Sequence, residues 1–516
     1  MKKIRSKLGV SAFVLLLSGL ICKALGALFR LPLTNLLGIE GIGIFQLVMS
    51  LYSFALVLTC GGVTNSLSKL ISASRARGEL AKIGIFLGRA LFVSLGVGLL
   101  LGLSFLLLGR YISAFQGIDA ANSYMLFLLL LPLGAGLASL RGFFQGFENM
   151  IPTAISQITE QVFKFVFGLL FASIFSKIGI SAGVFGAFLG IVLSEIVALM
   201  FLFIHFFAKH KKREKPSDLQ TIKIARKEFD SANLPLTLSS AILPLVNAFD
   251  GLIIIPRLVL GGISNSVATQ LYGLQAGVVG AILNFPLIIS MAVTTTLLPN
   301  ISYLISRGTG GRHIIEQGLK ILLYLILPTT FGIVAISRQM LALVYPAMTS
   351  SMLDVAFNLM LYGGFSIVFT ALMQYLIMLL QANGQFRFIL LSMILGGIVK
   401  ASLSFFLSAS GSVNIFALVL GNIALSAIVC LLAIWKLKRI VSFAIPFYDF
   451  FLLILGTVSM FFMVYTFINC NYFSTIFNII LAVILGVFAY LVLTVPFLLR
   501  IKISRPRKAI KVARGT

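Results

Sequence analysis

The stretch RGFFQGFENMIPTAISQITEQVFKF, residues 141–165, returns in weaker form as MLLQANGQFRFILLSMILGGIVKA, residues 378–401. Gln145 matches Gln381, Ser156 matches Ser392, Ile158 matches Ile394 and Lys164 matches Lys400, all at one constant offset. Apolar segments resemble one another by chance, so the weight falls on the constant offset and on a lysine that persists inside an apolar helix. Two further segments repeat at nearby offsets. Leu67–Ser72 resembles Ile301–Ser306, and Phe29-Arg30-Leu31 resembles Pro256-Arg257-Leu258, so the offset drifts only in the loops. A duplicated helical bundle with charge inside it is the usual plan of a membrane transporter.

The composition agrees with a membrane setting. Of the 516 residues, 59% are hydrophobic and 10% charged, which no ordinary soluble domain matches. A helical span needs about 20 apolar residues, and the chain offers fourteen such segments, from residues 10–29 to residues 474–499. A closed barrel would need short alternating strands instead. The expected fold is therefore all-α: a polytopic membrane protein with 14 transmembrane helices, arranged as two parallel-repeat six-helix lobes plus two C-terminal helices. The polar segment 209–230 divides an N-lobe, 1–208, from a C-lobe, 231–440. Residues 441–500 carry spans 13 and 14, and residues 501–516 form a basic tail. Each lobe has an even number of spans, so both enter from one side and the repeats run parallel. The linker's basic residues are expected to rest against anionic lipid headgroups, and an amphipathic helix is expected over 218–230.

The net charge of +26 would suggest nucleic acid in a soluble protein, but here the basic residues fall in alternate loops. Lys2, Lys3, Arg5 and Lys7 precede span 1, and Arg75, Arg77 and Lys82 follow span 2. Lys209, Lys211, Lys212 and Arg213 follow span 6, Arg307 and Arg312 follow span 8, and Lys436, Lys438 and Arg439 follow span 12. By the positive-inside rule both termini are cytoplasmic in the plasma membrane, with lipid and not nucleic acid as the neighbour. The opening segment, residues 1–29, reads as span 1 and not as a cleaved leader, because Lys23 interrupts the apolar run. Four cysteines and three histidines show no metal-ligand spacing, so no metal or other cofactor is expected.

Charge inside a span costs at least about 2.5–3.5 kcal/mol on insertion scales and marks functional candidates. Lys23 and Arg30 stand nearly two turns apart on span 1 and so share a face. Asp250 and Arg257 repeat that separation on span 7. The offset that carries Arg30 onto Arg257 also places Lys23 opposite Asp250, and these two are expected to pair across a central cleft when its outer half is closed and to separate when it opens. On span 5, Glu160 and Lys164 stand at i,i+4 and are expected to neutralise each other. Lys400 has Gly396 where its repeat partner has Glu160, so its counter-charge must come from a neighbouring helix or a substrate. Glu195 is the lone acid of span 6, and Arg141 falls at the turn between spans 4 and 5.

RGFFQG and MIPTAISQITEQ within residues 141–161, with CKALGALFRLPLTNLLG in span 1 and LYGLQAGVVGAILNFPLIISMAVTTTLLPNIS around span 8, resemble the multidrug/oligosaccharidyl-lipid/polysaccharide (MOP) flippase superfamily. Within it the resemblance is to the polysaccharide-transport branch, with the stage V sporulation protein B and lipid II flippase families. It implies two six-helix lobes around a V-shaped cavity, rocking in alternating access to move a lipid-linked oligosaccharide or peptidoglycan precursor to the outer leaflet. Lys23 and Arg30 fall at or within one residue of the cationic cavity positions of helix 1 in lipid II flippases. At the helix 8 position where those flippases carry a further arginine, this chain has only Gln275 and small residues.

Taken with that resemblance, Lys23, Arg30, Arg257 and Lys400 are the candidate substrate-binding residues for a polyprenyl-pyrophosphate glycan. Asp250, Glu160, Lys164, Glu195 and Arg141 are the candidate gating or coupling residues, with membrane potential, Na⁺ or H⁺ as the drive. The alternative in the same superfamily is a cation-coupled exporter of organic cations, which would use Asp250 and Glu195. An enzyme is not expected, since the outer loops are short and nearly free of acids.

Overall fold

The computed structural model describes residues 2–209, 219–306, 312–440, 447–470 and 474–500. The expected basic clusters at 210–218 and 501–516, with Arg307, lie outside the described residues. Every regular element among the described residues is helical: α1 (Lys2–Cys60), α2 (Val63–Arg77), α3 (Leu80–Gln116), α4 (Ala121–Met125), α5 (Phe127–Gly146), α6 (Met150–Ser176), α7 (Ile180–Lys209), α8 (Leu219–Leu260) and α9 (Asn265–Tyr272). A π-helical segment, Gly273–Val279, continues into α10 (Gly280–Leu283) and α11 (Phe285–Ser306), followed by α12 (Arg312–Val344), α13 (Ser350–Ala382), α14 (Phe386–Leu407), α15 (Phe416–Lys438), α16 (Phe447–Asn469) and α17 (Thr475–Arg500).

Among the described residues thirteen helical stretches are long and apolar enough to cross a membrane, where fourteen spans were expected. The difference arises at Gly38, where φ 72° and ψ 178° break the helical path inside α1, so spans 1 and 2 are two helices that the hydrogen-bond pattern joins. That backbone region is open essentially to glycine alone. Gly38→Ala is expected to cost about 1–3 kcal/mol, read as a lowered thermal midpoint of the detergent-purified chain, although a Cβ there would touch nothing within 4 Å.

Two compact units divide the chain: residues 1–288 with 386–432, and residues 289–385 with 433–516. They do not follow the sequence repeat, since α8 and α9 pack on α1 and α14 packs on α8. In the first unit a core of Phe29, Leu33, Phe45, Phe127, Phe188 and their neighbours ties α1, α5 and α7 together. In the second, α16 and α17 dock on α12, where Lys320 pairs with Asp449 and the Tyr490 hydroxyl donates to the Tyr324 carbonyl at 3.0 Å.

The helix expected over 218–230 is present from Leu219 onward, as the opening of α8, which runs unbroken to Leu260. Ala225 and Phe229 are fully buried in a core shared with α2, α3, α5 and α7. Polar contacts fix the same seam. Arg89 holds Asp230 through two nitrogens, at 2.6 and 3.0 Å, and the Gly62 N–H at the start of α2 donates to Thr237 Oγ1 at 3.1 Å. A helix N-terminus with no cap of its own is thus satisfied from another helix. At the other end of α2, Gly78 takes φ 76° and the Glu79 N–H reaches back to the Ser74 carbonyl at 2.9 Å. Lys82 Nζ, 2.9 Å from the half-buried Glu79 carboxylate, holds that carboxyl below its ordinary pKa range.

Candidate functional site

The repeated lysines both sit where the fifth span of a lobe meets the first: α6 packs on α1, and α14 packs on α8. Their surroundings differ. Lys400, 2% exposed, donates to Asn247 Oδ1 at 2.7 Å and pairs with Asp250 Oδ2 at 3.0 Å. Asn247 and Asp250 lie about one turn apart on α8 and therefore on one face. The remaining oxygen of Asp250, Oδ1, and Ser404 Oγ are buried without a hydrogen-bond partner. Gly421 lets α15 close over the lysine stem, since a Cβ there would lie 3.2 Å from Lys400 Cγ. The counter-charge of Lys400 thus comes from a neighbouring helix, one of the two expected sources. α14 brings Lys400 directly against Asp250, the acid expected to meet Lys23 when the outer half of the cleft closes.

The first copy is built differently. Arg141 is not in the turn between spans 4 and 5 but within α5, one turn before its end. Its Nη2 stands 2.7 Å from Glu160 Oε2 and its Nε donates to Ser156 Oγ at 3.0 Å. The expected Glu160–Lys164 pair is replaced by this one. A planar guanidinium can bridge Ser156 and Glu160, one turn apart on α6, whereas an ammonium offers only a point charge. Lys164 Nζ lies instead 5.6 Å from the centre of the Phe29 ring, a cation–π distance. Gln161 Nε2 donates to the other oxygen of Glu160 at 3.3 Å, and Ser18 Oγ donates to Gln157 Oε1 at 3.2 Å, joining α1 to α6.

Glu195 is 5% exposed and accepts the Tyr52 hydroxyl on Oε1 at 2.6 Å, while its Oε2 has no hydrogen-bond partner. Lys23 is exposed on α1 and Arg30 half-buried two turns on. Arg257 is held at the far end of α8: its Nε donates to the Phe405 carbonyl at 2.8 Å, and the guanidinium lies 4.1 Å over the Phe405 ring. Sequence reasoning missed Tyr52, Ser156, Asn247 and Phe405. Asn247 was within reach, being one turn from Asp250 on its own helix. A tyrosine in an apolar helix carries a similar signal, since its hydroxyl must find a partner in a low-dielectric interior.

Of the nine candidate residues, six are basic and three acidic. Two of the acids, Glu160 and Asp250, are engaged by Arg141 and Lys400. The arrangement can attract an anion into the membrane-spanning region, where each charge interaction is stronger than in water.

The family pattern described as polysaccharide biosynthesis protein matches residues 8–305, more than half of the chain. Stage V sporulation protein B of Bacillus subtilis (strain 168) is 26% identical over 294 residues, 56% of this chain and 57% of that one, so the match spans little more than half of the relative. Lipid II flippase MurJ of the same organism is 23% identical over 428 residues, 77% of each chain. A solved structure of lipid II flippase MurJ in an inward closed conformation superposes with TM-score 0.66 at 14% identity, covering 94% of this chain and 98% of that one. An inward-facing multidrug resistance MATE family transporter of the MOP superfamily gives TM-score 0.63 at 14% identity, covering 81% and 95%. Fold and sequence pattern converge: the chain belongs to the polysaccharide biosynthesis protein family and shares the fold of the MurJ and MATE structures.

Proposed function

We propose that the chain moves a lipid-linked anionic glycan, a polyprenyl-diphosphate oligosaccharide or peptidoglycan precursor, from the cytoplasmic to the outer leaflet by alternating access between the halves 1–208 and 231–440. The observation that carries this reading is the surplus of cations over acids in the membrane-spanning helices, six against three among the candidate residues. A diphosphate entering a low-dielectric site gains most from guanidinium and ammonium groups. Arg30 and Arg257 guide the headgroup, and Lys23 and Lys164 hold it further in. Lys400 joins only when the anion displaces Asp250, which retakes the lysine on release. An inside-negative potential favours the outward passage of an anion by about 2.3 kcal/mol per unit charge per 100 mV. A cavity of about 390 Å³ among α12, α13 and α16, with Phe331, Phe365, Ile454 and Phe461 in its walls, suits a hydrocarbon chain.

Translocation of a short-chain polyprenyl-diphosphate glycan in proteoliposomes tests the reading. Wild type should flip it, and Arg30→Ala and Lys23→Ala should each fall about tenfold or more at equal reconstitution, the loss of one charge-assisted contact. Export of an organic cation without glycan movement would overturn the reading in favour of the drug-export branch. That branch has less support here, because Asp250, its natural acid, is held by Lys400.

A further inference from the structure

We infer that Arg141 is a positioning residue: by holding Glu160 it keeps the Lys164 ammonium available to an anionic headgroup. The inference rests on the anionic-substrate reading above and adds to it the device that readies the site.

On an isolated helix, Glu160 and Lys164 at i,i+4 would pair. In this fold both oxygens of Glu160 are taken, Oε2 by Arg141 and Oε1 by Gln161. The other nearby acid, Glu195, is turned to Tyr52. Among the described residues no carboxylate forms an ion pair with Lys164, whose ammonium lies over the Phe29 ring. The repeat supplies an internal comparison. At the offset that carries Lys164 onto Lys400, Arg141 corresponds to Ile377 and Glu160 to Gly396, so the second copy has neither member of the pair. Its lysine, Lys400, is neutralised by Asp250 and Asn247. The arginine and the glutamate are thus present together or absent together. Where they are present, no carboxylate among the described residues comes within ion-pair distance of the repeated lysine.

Arg141 is partly buried, and the guanidinium bridges two side chains of α6 without standing beside Lys164 itself. Removing it releases Glu160 to its i,i+4 neighbour and so neutralises Lys164 from a distance. Removing the glutamate charge as well returns the lysine to use. A purely structural role for Arg141 predicts neither result.

The test uses the full chain in detergent with geranyl diphosphate as probe. Arg141→Ala should weaken binding about tenfold, and Arg141→Ala with Glu160→Gln should return it to within about threefold of wild type. Lys164→Ala should cost about tenfold in the wild type and less than about twofold in the Arg141→Ala background, since there the lysine is already silent. A second readout needs no anion: acetylation of Lys164 by a membrane-permeant ester, followed by mass spectrometry, should fall in Arg141→Ala and recover in the double variant. If Arg141→Ala does not fold, Arg141→Lys serves. It keeps the charge but cannot bridge Ser156 and Glu160, and should weaken binding by an intermediate factor. Equal costs of Lys164→Ala in both backgrounds, or acetylation unchanged across the variants, would overturn the inference. A wild type that binds no geranyl diphosphate while acetylation follows the expected pattern would overturn the anionic-substrate reading and uphold the exchange of counter-ions.

Discussion

Lys400→Met is expected to destabilise the chain by about 3–5 kcal/mol, because it leaves the buried Asp250 carboxylate without its cation. The loss should show as a lowered unfolding midpoint of the detergent-purified protein. Asp250 is 6% exposed, its Oδ1 already lacks a hydrogen-bond partner, and Asn247 loses its donor as well. Asp250→Leu alone should be comparably damaging, as it strands a buried ammonium. The two together replace an ion pair by apolar side chains of similar bulk, an exchange that is often neutral for stability. The double variant should therefore recover most of the lost stability. It should not recover transport, because Lys400 is no longer there to meet the diphosphate nor Asp250 to displace it on release. A double variant as unstable as either single one would show that the pair is not what holds α8 to α14. One that transports at the wild-type rate would make the pair a strut with no part in the cycle.

The fold was legible where the signal is continuous. Long apolar runs placed all the expected spans on helices, and the only miscount came from one glycine whose backbone joins two helices without a gap in the hydrogen-bond pattern. Partners were legible only along a single helix. The i,i+4 rule read Glu160 and Lys164 correctly as neighbours, but it has no access to Arg141, which lies on a different helix and is delivered by the α5–α6 hairpin. The repeat offset put Lys23 and Asp250 in matching places, yet matching places in two copies need not touch. What touches is the pair of helices that pack within each copy, α6 on α1 and α14 on α8. The linker was legible as a helix but not in its packing: its charge is conspicuous in sequence, while the two residues that fix its position, Ala225 and Phe229, are inconspicuous until their burial is seen.

Gly273→Val should abolish transport and lower stability by about 1–3 kcal/mol, the usual range for overpacking, or more. A Cβ on Gly273 would lie 2.1 Å from the Ile39 carbonyl oxygen and 2.8 Å from the Gly43 nitrogen, and one on Gly43 would lie 2.3 Å from the Thr269 carbonyl oxygen. All three are backbone atoms, which cannot swing aside as a side-chain end can, so the helices themselves would have to part. Small residues at such crossings let helices approach closely in a membrane, where packing replaces the hydrophobic effect as the source of association. Gly273 also opens the π-helical segment Gly273–Val279, a geometry that is rare and frequently found at functional sites. The crossing therefore joins the second half of α1 to the one stretch among the described residues whose helical winding departs from α. If the halves rock, this contact must form and break once per cycle, and a side chain at Gly273 blocks its formation. Gly84→Ala is the control, since nothing lies within 4 Å of a Cβ at Gly84. It should leave both stability and transport near wild type. If Gly273→Val behaves like that control in both assays, the close approach is not required and the crossing is not a gate. If it lowers stability alone while glycan movement continues, the crossing is a fixed seam, and the rocking must turn on other contacts.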